Sequence, residues 1–258
     1  MALLGARITA AQITALGIST LGGVAASVAL TILFGLFAAK AAGMTARFGV
    51  LTAGAVAICG ASAAAAIAAV QRPGANQERD TAFTIIGVTT LSTVCMVLYP
   101  LLAKVFELSH AQSGIFLGGT IHDVAQVVGA GYSISPETGD AATIVKLLRV
   151  AMLLPVVVIV SLAERGRSKE EGERANLIPG FLLAFIAIVA LNSFALVPQS
   201  IQSAMSDASR WCIVISIAAL GVKTSLAALA KVGHKAVMLM VLETAFIATL
   251  VMTVVRLG

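Results

Sequence analysis

The sequence predicts an all-α, polytopic membrane protein, and three observations predict it. Of 258 residues, 59% are hydrophobic and only 11% charged, where soluble globular chains carry about a quarter charged residues; the mean hydropathy is +1.01. Several uninterrupted apolar stretches reach the roughly 20 residues that cross about 30 Å of hydrocarbon. No period-2 alternation supports a barrel, and open sheet edges cannot be satisfied in lipid, so the spans are helices.

Eight apolar segments follow in order, at about 18–39, 50–70, 81–103, 112–133, 141–162, 177–197, 211–230 and 236–255. The second and third are separated by "QRPGANQERD" (71–80), which holds a Pro-Gly pair and four charges. A Ser/Pro/Gly turn, "SISPETGD" (133–140), separates the fourth from the fifth. "AERGRSKEEGERAN" (163–176) is the strongly charged run between two groups of helices and reads as a solvated loop. Residues 1–258 form one transmembrane transporter domain in this reading.

The net charge of +5 is spread over short loops, so it sets membrane orientation and does not point to nucleic acid. If all eight segments cross, nine Lys and Arg lie on one side and five on the other, which puts the 163–176 loop in the cytoplasm. Met1 is followed by apolar residues, Arg7 and an Ala/Thr-rich stretch, so no cleavable signal peptide is expected. Cys59, Cys95 and Cys212 all fall in apolar stretches, at no metal-like spacing. Neither a disulfide framework, a metal site nor a cofactor is expected.

"LGARITAAQITALG" (Leu4–Gly17) aligns with "LGVKTSLAALAKVG" (Leu220–Gly233) at an offset of 216 residues, each followed by an apolar span. Transporters are commonly built from such duplicated units, with the site where the halves meet.

Two stretches do not read as lipid-facing helix. In "AICGASAAAAIAAV" (Ala57–Val70), small residues cluster around Gly60, with Cys59 before it and Ser62 after. Small side chains serve close helix packing; at mid-span they also let a helix break and offer backbone groups to a substrate. In "GGTIHDVAQVVGAG" (Gly118–Gly131), Gly118 and Gly119 loosen the helix ahead of Thr120, His122, Asp123 and Gln126. An ionisable group at membrane depth costs at least about 2.5–3.5 kcal/mol, so it persists when paired or lining a polar cavity. His122 and Gln126, and Asp123 and Gln126, share helix faces by spacing. Lys146 and Arg149 lie three apart on one face of the fifth span. They suit ion pairing with Asp123 or an anion-binding cavity; snorkelling would account for Lys146 alone. Glu243 and Asn192 are further polar intrusions with no partner evident in the sequence.

"LLGARIT", "ICGASA", "LYPLL" (98–102), "GGTIHDVAQVVGAG", "IVKLLRV", "NSF" (192–194) and "AALGVKTSLAAL" occur in this order. Together they resemble the YeiH-like family of bacterial inner-membrane proteins, a family assigned to sulfate export. The resemblance runs from about Leu3 to the C-terminus. It implies the wider cation/proton antiporter and anion transporter fold, with inverted repeats and two interrupted helices. Members of that family carry further spans before "LLGARIT", so the first repeat is expected to lack its opening helices.

The expected function is secondary transport of a small anion, sulfate or a related sulfur oxyanion, coupled to a proton or sodium gradient. The expected substrate-binding residues are Cys59, Gly60, Ser62, Gly119, Thr120, His122, Asp123, Gln126, Lys146 and Arg149, with no catalytic or metal-ligating residue. The interrupted segments should meet near the midplane, where helix ends and the two cations attract the anion. His122 or Asp123 would exchange a proton, imidazole ordinarily titrating near neutrality. No G-x-x-x-x-G-K-[ST] loop is present, which argues against ATP-driven transport by this chain alone. The alternatives are an intramembrane enzyme using His122 and Asp123, for which no nucleophile–base pairing is in view, and a non-transporting membrane subunit. Expected partners are the anion, a coupling ion, the lipid bilayer and a second copy of the chain.

Overall fold

A computed structural model describes residues 18–165 apart from 73 and 75, isolated positions between 187 and 215, and residues 234–257. The Leu4/Leu220 repeat, Asn192, Cys212 and most of the charged loop lie outside the described residues. Among the described residues the continuous elements are all helices. These are α1 (Ile18–Ala41), α2 (Ala46–Ala57), α3 (Ala61–Val70), α4 (Gln77–Val105), α5 (His110–Thr120), α6 (Val124–Ile134), α7 (Pro136–Ala151), α8 (Leu153–Arg165) and α9 (His234–Leu257).

Among the described residues four spans are long and apolar enough to cross a membrane: α1, α4, α7 continued by α8, and α9. Their outer faces are greasy. Leu30, Leu33 and Phe37 on α1, and Val97, Leu98 and Leu101 on α4, are exposed as lipid-facing side chains are. Polar residues on the same helices turn inward: Ser27, Thr31, Thr84, Thr90 and Ser92 are buried, and the hydroxyls of Ser27, Thr31, Thr84 and Thr90 return to their own helix carbonyls.

The other two apolar segments among the described residues do not cross. α2 and α3 have 12 and 10 residues, about 18 and 15 Å at 1.5 Å per residue, each roughly half a membrane. They fold back on one another. Gln71 Nε2 donates to the Arg47 carbonyl at 3.0 Å, so the hairpin ends where it began, and mid-hairpin Gly54 packs on Ile67. α5 and α6, of 11 residues each, do the same: His110 at the start of α5 lies 3.1 Å from the Ser135 hydroxyl that follows α6. Segments 50–70 and 112–133, expected to be spans, are therefore re-entrant hairpins. Runs of 20 apolar residues meet the length rule, but the turns at Gly60 and Ile121–Asp123 divide them in two.

The hairpins enter from opposite faces. Face A holds Arg47, Arg72 and Glu164, joined by ion pairs at 3.2 and 3.8 Å. Face B holds the α4–α5 turn, where the Phe106 carbonyl accepts from Arg256 at 2.8 Å, and His110 with Ser135. A long helix followed by a re-entrant hairpin thus occurs twice, as α1–α2–α3 and α4–α5–α6, with the second unit inverted. Both hairpins open on a hydroxyl N-cap, Thr45 and Ser109. The inverted-repeat architecture is present among the described residues, with units other than the Leu4/Leu220 pair.

Candidate functional site

The hairpin tips meet in the membrane interior. Gly60 adopts φ 64°, a left-handed conformation that L side chains rarely take, and a Cβ there would lie 3.7 Å from the His122 carbonyl oxygen. Each tip ends one half-helix and starts another. The chain therefore gathers two C-terminal ends, with orphan carbonyls and partial negative charge, and two N-terminal ends of opposite sign.

Lys146 and Arg149 bind the carbonyl ends. They project from the last two turns of α7, reach both hairpins, and are fully buried. Lys146 Nζ donates to Ile58 O at 2.6 Å and Ile121 O at 2.9 Å, one from each tip. Arg149 donates through Nε to Ala57 O (2.8 Å), through Nη2 to Val56 O (2.8 Å), and through Nη1 to Gly118 O (3.1 Å) and Ile121 O (3.0 Å). A planar guanidinium spreads five donors over a wide angle and so reaches both helix ends at once. Among the described residues neither cation forms an ion pair with Asp123. Of the two readings the sequence left open, the Asp123 ion pair is absent among the described residues, and cation-to-carbonyl capping takes its place.

The two N-terminal ends differ. Asp123 caps α6, its Oδ1 accepting from Ala125 N at 2.8 Å and Gln126 N at 3.4 Å. α3 starts at Gly60 with no side-chain cap. Beside it Ser62 Oγ donates within its own turn, to Cys59 O at 3.1 Å and Cys59 Sγ at 3.0 Å. Cys59 is buried, while Ser62 and Asp123 are partly exposed.

His122 is fully buried and held at both nitrogens. Nδ1 lies 3.0 Å from Val56 O, and Nε2 lies 3.1 Å from Thr244 Oγ1. A carbonyl accepts only, so Nδ1 carries a proton; in the neutral imidazole Nε2 then accepts from the threonine hydroxyl, and both contacts are satisfied. Gln126 Nε2 donates to Thr93 Oγ1 at 2.9 Å, and its Oε1 is buried without a partner among the described residues. Thr120 bonds back to Phe116 O at 2.6 Å, and Gly119 packs against Val251 of α9.

Sequence reasoning missed Ser92 and Thr93. Ser92 accepts from the Asp123 backbone N–H at 3.0 Å. The polar run "TTLST" (89–93) in an apolar span was the available signal. Thr244 and Thr52 were missed too; both lie in helices whose neighbours are apolar. No group of three or more His, Cys, Asp or Glu is placed to hold a metal among the described residues.

Among the described residues, four crossing spans around two opposed re-entrant hairpins define an all-helical polytopic membrane protein. The chain belongs to the family described as conserved hypothetical protein 698, whose model matches residues 1–240; the YeiH-like resemblance fits that family. It is 54% identical to a UPF0324 membrane protein of Chlorobaculum tepidum over 254 residues, covering 98% of this chain and 71% of the relative. It is 53% identical to the UPF0324 membrane protein TauZ of Paracoccus pantotrophus, covering 97% and 75%. A UPF0324 membrane protein of Rhizobium meliloti is 49% identical, with 98% and 74% covered. No solved structure matches.

Proposed function

We propose that this chain is a secondary transporter for a small anion, an exporter in the bacterial inner membrane, with its substrate site at the junction of the two hairpin tips. The observation that carries the reading is the asymmetry of that junction. Both carbonyl ends are neutralised by Lys146 and Arg149, and one amide end by Asp123, while the amide end of α3 has no side-chain cap.

Charge supports an anion. Four helix ends of about half a charge each cancel in sign, leaving two cations against one carboxylate, or roughly one positive charge. A tetrahedral oxyanion at Gly60–Ser62 would accept from the free amides of α3. Sulfate and related sulfur oxyanions are the substrates proposed, following the family resemblance.

Orientation follows from the basic residues. Face A carries Lys40, Arg47, Arg72, Arg79 and Lys235, and face B carries Lys104 and Arg256 among the described residues. The positive-inside rule then puts face A in the cytoplasm.

Uptake of labelled sulfate, sulfite and small carboxylates into proteoliposomes tests the reading. Saturable flux of one anion is expected. A small thiol reagent at Cys59 should block that flux, and the anion should slow the modification. Folded protein that moves none of them overturns it.

A further inference from the structure

Glu243 plays no part in the junction described above, yet it is a carboxyl group fully buried at mid-height of α9. His234, at face A, is nine residues away, about 14 Å along the helix. The polar contact seen is between Oε1 and Thr52 Oγ1, at 2.9 Å. Oε2 has no hydrogen-bond partner among the described residues. Gly35 and Ala53 close in around the carboxyl; a Cβ on Gly35 would collide with both Ala53 and Glu243.

Among the described residues no positive group compensates it. α9 packs on α1, α2, α4 and α5. The titratable groups there are Lys40 in the last turn of α1 and Arg47 in the first turn of α2. α4 has Glu78, Arg79 and Asp80 at one end and Cys95, Tyr99 and Lys104 further along, and α5 has His110 at its start. On α9 itself, His234 and Lys235 open the helix and Arg256 lies in its last turn. None forms an ion pair with Glu243 among the described residues. His122 is the titratable group nearest in connectivity, bonded to the adjacent Thr244. An uncompensated carboxylate at this depth is expensive.

The hydroxyl of Thr52 resolves this. It lies 2.9 Å from Glu243 Oε1 and also 3.1 Å from Phe48 O and 3.3 Å from Gly49 O. With a proton on Oε1, Glu243 donates to Thr52 Oγ1, and Thr52 donates to Phe48 O. Oε2 is then a neutral carbonyl oxygen. With the proton gone, Thr52 turns to donate to the carboxylate and leaves its helix carbonyl. The same heavy-atom positions serve both forms.

We propose that Glu243 is a proton-binding site, occupied in the arrangement described here, and that Thr52 is the hydroxyl that switches with it. Its consequence for transport rests on the anion-transporter reading. Loss of this proton adds a negative charge that cancels the roughly single positive charge of the junction, so anion and proton bind together. α9 carries both ends of that link, Glu243 toward Thr52 and Thr244 toward His122.

Infrared spectroscopy of the full chain in nanodiscs tests this without needing a transported substrate. A protonated-carboxyl band should titrate with pH in the parent protein and be missing in Glu243→Gln. It should persist in Asp123→Asn. Thr52→Val keeps the shape but removes the donor. A hydrogen bond to a charged group is worth about one to two pH units, so the band should then persist to higher pH by about that much. A band unchanged in Glu243→Gln overturns the proposal. So does loss of the band on adding sodium at fixed pH, which would make the site a metal-cation site. If Glu243→Gln does not fold, the Thr52→Val shift decides, and no shift overturns it. In proteoliposomes, anion flux in Glu243→Gln should lose its pH dependence. Absence of any flux would fail the transport reading and leave the infrared result standing.

Discussion

Arg149 shows how a single side chain is read differently from sequence and from structure. Spacing placed it with Lys146 on one face at membrane depth, and that much was legible. Its partners were not, because backbone carbonyls carry no sequence signature. Arg149 donates to the carbonyls of Val56, Ala57, Gly118 and Ile121. Arg149→Ala removes hydrogen bonds from a charged donor worth about 1.5–3 kcal/mol each. The expected loss is about 3 kcal/mol or more, read as a fall in melting temperature in detergent. Adding Asp123→Asn should not restore stability, since Asp123 caps α6 and is not paired with Arg149; recovery in the double variant would contradict this assignment. Gly60 is the second such residue. At φ 64° a side chain is strained wherever it points, so Gly60→Ala should cost about 1–3 kcal/mol by the same measurement.

At the scale of elements, the long spans were legible and the half-spans were not. The apolar lengths of α1, α4, α7–α8 and α9 match segments read directly from hydropathy. The interruption at Gly60 was signalled by its glycine and the one at Ile121–Asp123 by polar residues at mid-span, whereas Gly118 and Gly119, expected to loosen the helix, stay inside α5. The fold-back was not signalled, because a crossing broken helix and a re-entrant hairpin share one composition. What distinguishes them is long-range pairing of their ends, Gln71 with Arg47 and Ser135 with His110. The difference is measurable. Cysteines at Thr45 and Gly74 flank the first hairpin, and a membrane-impermeant thiol reagent should label both from the same face. Cysteines at Glu107 and Glu137 flank the second and should label together from the other face. Labelling of Thr45 and Gly74 positions from opposite faces would mean that the segment crosses.

For the whole molecule, the fold-back changes which loops share a side. With eight crossing segments, Arg72 and Arg79 fall on the side opposite Lys40 and Arg47. With the first hairpin re-entrant, all four share face A, joined there by the Arg47–Glu164 and Arg72–Glu164 contacts at 3.2 and 3.8 Å. The weight of those part-exposed pairs is topological. Gathering the basic residues on one face strengthens the charge bias that orients a chain during insertion. The far end of α9 is then fixed: His234 and Lys235 start it at face A, and Gln112 of α5 donates to Val255 O at 3.3 Å near its close, at face B. A phosphatase fused after Leu257 should therefore be active, as it is only outside the cytoplasm, and a fluorescent protein that matures only in the cytoplasm should stay dark there. Moving charge should move the result. Neutralising Arg47, Arg72 and Arg79 together removes three of the five described basic side chains of face A and should produce a mixed population, with reporter activity split between the two fusions. A C-terminal fusion that is cytoplasmic in the parent protein would reverse the assignment of faces while leaving the opposed hairpins intact.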